Sequence, residues 1–128
     1  MRLLSLALTL ALVACQQKSP DEKIKDTAKT AGSWAATLCF GGQQWIANSV
    51  PKRFIRTSVD AAKKELDKSQ QDVAKSEASK ALRDRVGHDI AETQHLATEL
   101  RDAVEKRDRP RAAAVVSQLE RIAKDLQQ

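Results

Sequence analysis

Residues 19–45 read SPDEKIKDTAKTAGSWAATLCFGGQQW, and this stretch decides the fold. Ser19 suits a helix N-cap, Pro20 suits the first helical position, and Glu22 completes an S-x-x-E capping box. Asp21 and Glu22 also suit the positive end of a helix dipole. From there Ile24, Ala28, Ala31, Ala35, Leu38, Gly42 and Trp45 recur at alternating intervals of four and three. That is the heptad spacing of a helix that packs against other helices. Most of these side chains are small, which predicts a tight crossing near Ala31–Ala35. Gly41 and Gly42 each cost a helix about 1 kcal/mol relative to Ala. The helix either kinks there or receives another backbone or a bulky side chain on the bare patch, between Trp34 and Trp45.

Further seams follow. Asn48-Ser49-Val50-Pro51 closes the first helix, because Val50 precedes a proline and is pushed away from helical geometry. Pro51 suits the first turn of a second helix. Its seam is Ile55, Val59, Ala62, Leu66, Ser69 and Val73, widened by Phe54 and Ala61. No Gly or Pro lies between Pro51 and Gly87. One helix over 51–107, ~85 Å long, is therefore open. A break near Ser76–Ser79 is preferred, since helices of matched length cover one another better. The third seam is Leu82, Val86, Ile90, Thr93, Ala97, Leu100 and Val104, flanked by Leu96 and Ala103 and with Gly87 inside it. Arg107-Asp108-Arg109-Pro110 makes the next turn, with Asp108 as N-cap. A shorter fourth helix carries Ala112, Val115, Val116, Leu119, Ile122, Ala123 and Leu126 on one side. The fold class is all-α: a small antiparallel bundle of three or four helices with coiled-coil-like seams, spanning residues 20–128.

Composition agrees. Charged residues are 30% of the chain and aromatics 3%, with four Gly and three Pro. Ala, Lys, Glu, Gln and Arg favour helix, and one domain fits the length. The net charge is +5. Acids and bases are interspersed, as on solvated helix faces, although a basic surface also suits anionic lipid headgroups.

The N-terminal fifteen residues, MRLLSLALTLALVAC, carry an address. Met1-Arg2 is a short positive start. Leu3 to Ala14 is a twelve-residue apolar run, of signal-peptide length and short of the ~20 residues that span a bilayer. Its end, Leu12-Val13-Ala14-Cys15, resembles a bacterial lipobox. Ordinary secretory cleavage fits less well, because a cut after Ala14 leaves the large Leu12 at −3. The resemblance covers only these residues. It implies removal of residues 1–14, a thioether-linked diacylglycerol on Cys15, and a lipidated tether over 15–19. Several acyl chains in one leaflet anchor stably where one does not. The membrane is then a partner through Cys15, and the location is the cell envelope. Gln16 after the cysteine implies the outer membrane facing the periplasm, if the cell is Gram-negative. Export also argues against nucleic acid as a partner.

Candidate chemistry is sparse. His88, Glu92 and His95 share one helical face, and Glu92 to His95 has the Glu-x-x-His spacing of di-iron bundles. A full site needs a second such motif, and the chain has only two His. The three residues remain weak metal candidates on what reads as a solvated face. No C-x-x-C-H haem attachment is present, and no phosphate loop or nucleophile elbow. With Cys15 lipidated, Cys39 between Leu38 and Phe40 reads as a buried thiol rather than an intermolecular disulfide. Val50-Pro51-Lys52-Arg53-Phe54-Ile55-Arg56 is the densest basic-aromatic cluster. It suits anionic lipid or an acidic partner; the plainer reading turns Phe54 and Ile55 to the core and Lys52, Arg53 and Arg56 to water. Trp34 and Trp45 read as core anchors before they read as walls of a ligand groove.

The expectation is a non-enzymatic interaction or structural module without cofactor. It would bind an envelope protein or a second copy. The alternative is a small-ligand, metal or haem carrier using the bundle interior.

Overall fold

The computed structural model describes residues 17–128. The signal peptide read over 1–14 and the lipid-attachment residue Cys15 lie outside them. Four helices follow in order: α1 (Pro20–Ile46), α2 (Lys52–Lys75), α3 (Lys80–Glu105) and α4 (Arg109–Leu126). They run alternately up and down. Each packs on its neighbours around a ring closed by α1 against α4, and α1 also meets α3 across the diagonal.

The starts and stops are built from short polar side chains. The Ser19 hydroxyl accepts from the Glu22 N–H, forming the serine half of the expected capping box. The break between α2 and α3 falls at residues 76–79. Ser76 turns extended, its hydroxyl accepts from the Ala78 N–H at 3.1 Å, and Ser79 caps α3. Two serines thus do what Gly or Pro does elsewhere, by giving the backbone a competing partner. Pro51 stands just before α2 as its N-cap, not inside the first turn. Asp108 caps α4 as expected, accepting from the Arg111 N–H.

α1 and α3 end alike. Asn48 (φ 62°) and Arg107 (φ 54°) both adopt the left-handed conformation. The next N–H then reaches back five residues, Ser49 to Gln44 and Asp108 to Ala103, each at 2.8 Å. These bonds satisfy carbonyls that a helix end leaves open.

All four seams face inward. Every seam residue named for α1, α2 and α4 is buried, as are those of α3 except the half-buried Leu82. Phe54 and Ala61 do not widen the α2 seam as expected. Both are exposed, Phe54 at 45%, because they lie at the edge of the face centred on Ile55, Val59 and Ala62. Thr93 is fully buried among apolar neighbours, and its hydroxyl donates to the Asp89 carbonyl at 2.8 Å.

The bare patch on α1 is filled without breaking the helix. Val116 of α4 and Leu100 of α3 pack on Gly42, while Phe54 and Ile55 of α2 pack on Gly41. Farther along, Gly32 admits the C-terminal turn of α4, with the Ala123 carbonyl close by. The close approach predicted around Ala31–Ala35 is therefore to α4, and it extends from Gly32 to Gly42.

Across the α2–α3 pair, polar side chains fix the antiparallel register. Gln70 donates to the Gly87 carbonyl at 2.8 Å, Gln94 to Asp67 at 2.7 Å, and Arg101 to Asp60 at 2.8 Å. Arg56 grips Glu105 at the end of this ladder.

Candidate interaction surfaces

The bundle has two unlike ends. The near end holds the start of α1, the α2–α3 loop and the C-terminus. A surface cleft of about 480 Å³ lies there, lined by Pro20, Lys23, Ile24, Thr27, Asp72, Lys75, Ser76 and Glu77. The far end holds the α1–α2 and α3–α4 loops. It is separated from Pro20 by the length of α1, roughly 40 Å for a helix of that size.

The far end gathers the basic cluster. Lys52, Arg53 and Arg56 begin α2, and the α3–α4 turn brings Lys106, Arg107, Arg109 and Arg111 beside them. Three carboxylates sit among these seven cations. Glu105 takes Arg56, with Lys52 at 3.7 Å. The hydrogen bond from Arg56 is the main reason its carboxyl is held down to about 2. Asp102 takes Arg111 and Lys106, whose hydrogen bonds likewise lower its pKa. Asp108 is used as the α4 cap. Arg53 and Arg107 are exposed and make no ion pair among the described residues. α2 starts here with an uncharged cap and no acidic residue in its first turn, so its positive dipole end adds to the field, whereas that of α4 is met by the Asp108 carboxylate.

Arg109 ties this end together. Its guanidinium lies 5.4 Å from the Trp45 ring centroid and donates to the Ile46 carbonyl and to Asn48. A cleft of about 330 Å³ opens beside it, lined by Trp45, Asn48, Val50, Pro51, Lys52, Val104, Arg107 and Arg109. Of the tryptophans, Trp45 is buried and Trp34 is half-buried against the core. Neither forms a two-sided groove with Gly41 and Gly42, whose surface is occupied by side chains of α2, α3 and α4.

The other candidates are placed plainly. His88, Glu92 and His95 are all exposed on α3, and His95 faces Glu99 at 3.3 Å. Among the described residues no group of three or more His, Cys, Asp or Glu side chains is arranged to hold a metal ion. Cys39 is buried, and its thiol lies 3.6 Å from the Val116 carbonyl, within reach to donate. Burial pushes that thiol up, away from the reactive thiolate. No described helix is long and apolar enough to cross a membrane.

Two features escape a seam-by-seam reading. One is the meeting of the two basic segments, which lie some fifty residues apart in sequence and are joined only by the α2–α3 hairpin. The other is the outward face of α1. No charged residue occurs from Thr30 to Val50, in a chain that is 30% charged. That face exposes Phe40 at 62%.

Comparison with known proteins returns no match: no family model, no curated protein and no solved structure is similar to this chain. The class is defined by the architecture alone, an antiparallel four-helix bundle.

Proposed function

We propose that this chain is a bacterial envelope lipoprotein, anchored through acyl chains on Cys15, whose bundle is a non-enzymatic interaction module. The lipobox Leu12-Val13-Ala14-Cys15 supports the anchor. The observation that carries the interaction role is the far end, where seven cations from two separate segments share one end of the bundle and Lys52, Arg107 and Arg109 line a cleft with Trp45.

With the anchor at residue 15 and α1 starting at Pro20, the bundle presents its basic end roughly 40 Å from the tether. An anchored protein of this shape reaches outward, and its reach ends in positive charge. Such a field speeds encounter with an acidic partner and weakens with salt. The partner class is an acidic envelope protein.

Arg107 strengthens the reading. A non-glycine residue in the left-handed conformation costs a helix end that glycine would close more easily. Here the position carries an exposed cation without an ion pair among the described residues, on the side away from the tether.

Cross-linking in intact cells tests the proposal, comparing wild type with Cys15→Ser and with Arg53→Glu/Arg107→Glu. The reading expects one acidic envelope protein captured by wild type and lost in both variants. Capture that is indifferent to both variants contradicts it.

A further inference from the structure

We infer that the far-end cleft between the α1–α2 and α3–α4 loops is a binding site for a phosphate monoester, held by Lys52, Arg107 and Arg109. The inference deepens the reading of this end as the recognition surface. It rests on that reading for place alone, since binding needs neither the anchor nor the acidic protein.

The charge of the wall singles out this cleft. Its lining holds three cations and no carboxylate. The other clefts described are mixed. Lys23 and Lys75 meet Asp72 and Glu77 at the near end, and Lys25 and Arg85 meet Asp89 and Asp125 beside the C-terminus. The remaining two carry more acids than bases. The far-end cations are also largely free to act. Arg107 makes no ion pair among the described residues. Arg109 donates to neutral acceptors, the Ile46 carbonyl and the Asn48 side-chain oxygen, so its charge stays uncompensated. Lys52 reaches Glu105 only at 3.7 Å, where Arg56 already holds that carboxylate through two hydrogen bonds.

That excess of charge decides the class of ligand. A carboxylate brings one negative charge, whereas a phosphate monoester brings roughly 1.5–2 at neutral pH, with three acceptor oxygens. Arginine presents a planar fork that matches phosphate, and lysine a point charge. Of the five N–H donors on Arg109, two are used within the chain. The start of α2 adds neutral donors. Pro51 gives this helix no side-chain cap, and the first-turn N–H groups of Lys52 and Arg53 have no partner among the described residues. Val50, Pro51 and Val104 form the apolar part of the wall, where the carbon end of a monoester rests.

The wall is shaped before a ligand arrives. Arg109 is held by its two acceptors and by the Trp45 ring, 5.4 Å from the centroid. Asn48 and Arg107 are the two left-handed non-glycine residues among those described, and both line the cleft. A glycine would close α3 at lower cost than Arg107. The chain gives up stability at the position that brings a free guanidinium to this wall, and such strain gathers at ligand sites.

The test follows amide chemical shifts of the full chain purified in a neutral detergent. Phenyl phosphate is the soluble monoester, dihexanoyl phosphatidic acid represents a lipid headgroup, and phenyl sulfate is the control of like shape and single charge. The expected result is saturable shifts centred on residues 48–53 and 107–109, with phenyl phosphate at least tenfold tighter than phenyl sulfate. Affinity should fall as pH drops through about 6, where the monoester takes up its second proton. Lys52→Gln/Arg107→Gln should weaken binding at least tenfold, with an unchanged circular dichroism spectrum. Lys64→Gln, which removes a like charge from the outward face of α2, should change it less than twofold. The comparison of phosphate with sulfate needs no variant. Tighter binding of the phosphatidic acid names a lipid headgroup as the source, and the reverse order names a soluble monoester; both uphold the site. Shifts that do not saturate, equal affinity for phenyl sulfate, or an equal loss in Lys64→Gln overturns it. Monoester binding by a chain that captures no acidic protein in cells leaves the site standing and overturns the proposed partner, so the two failures are told apart.

Discussion

Gly42 of α1 and Val116 of α4 stand so close that a Cβ on the glycine would lie 2.6 Å from Val116 Cγ2. Leu100 Cδ1 would be 3.3 Å away on the other side. Val116 is β-branched and held at χ1, so it has little freedom to swing aside. One residue earlier the situation reverses. A Cβ on Gly41 would meet Phe54 and Ile55 at 3.5 and 3.6 Å, which is ordinary contact. Neighbouring glycines therefore predict opposite signs. Gly41→Ala gains helix propensity and should stabilise by about 0.5–1 kcal/mol. Gly42→Ala has the same gain but overpacks the core, at about 1–3 kcal/mol. It should come out destabilising. Urea unfolding of both variants checks this, and equal shifts would contradict the packing described.

Arg107 gives a test of where the chain gives up stability for charge. It closes α3 with φ 54°, a conformation that costs an L-residue roughly 1–2 kcal/mol. Arg107→Gly should raise stability by about 1 kcal/mol in thermal or urea unfolding. The same variant should weaken capture of the acidic partner, and that loss should shrink as salt is raised. No gain in stability would mean that the turn is held by contacts of the arginine side chain.

Arg109→Ala removes the cation above Trp45 and the donors to Ile46 and Asn48. The stacked contact alone is worth ~0.5–1 kcal/mol near the surface. The variant should lower stability by at least that much and change Trp45 fluorescence. An unchanged spectrum would show that the guanidinium does not sit over the indole in solution.

The Glu105 carboxyl sets a pH window. Its hydrogen bond from Arg56, and the nearby charges of Arg56 and Lys52, hold it to about 2 against an ordinary value of 4.5. A carboxyl depressed in the folded chain adds stability that is complete above its unfolded value. That stability is lost as pH falls from about 4.5 through about 2. Glu105→Gln should flatten the stability curve over that window and matter least below it. Because these side chains are solvent-exposed, the effect is modest and screened by salt. A carbon-detected titration of Glu105 with a midpoint near its ordinary value would contradict the pairing.

Much of this fold is written in local pattern. The heptad seams and the Ser19 and Asp108 caps follow from neighbours in sequence. The break at 76–79 is preferred in the sequence only because matched helices cover one another, and the serine hydrogen bonds that make it are visible only in the fold. The Gly41-Gly42 patch leaves a kink and a packed neighbour open in the sequence, and only the fold shows a continuous helix covered by Val116, Leu100 and Phe54. Phe54 itself was misread because hydrophobicity does not say where the edge of a buried face falls. The basic end was half legible. Lys52 to Arg56 stand together in the chain, but their meeting with Arg107 and Arg109 depends on how α2 and α3 pair. His88, Glu92 and His95 share a face by spacing alone, and spacing does not supply the further ligands a metal needs.

The central claim is that the bundle works from a lipid anchor at Cys15. The most direct measurement is the mass of the N-terminal peptide of the full chain, purified from the membranes of bacterial cells. The account predicts a peptide beginning at Cys15 with a diacylglycerol thioether, absent in Cys15→Ser. A peptide beginning at Met1, or one with an unmodified Cys15 thiol, would contradict it.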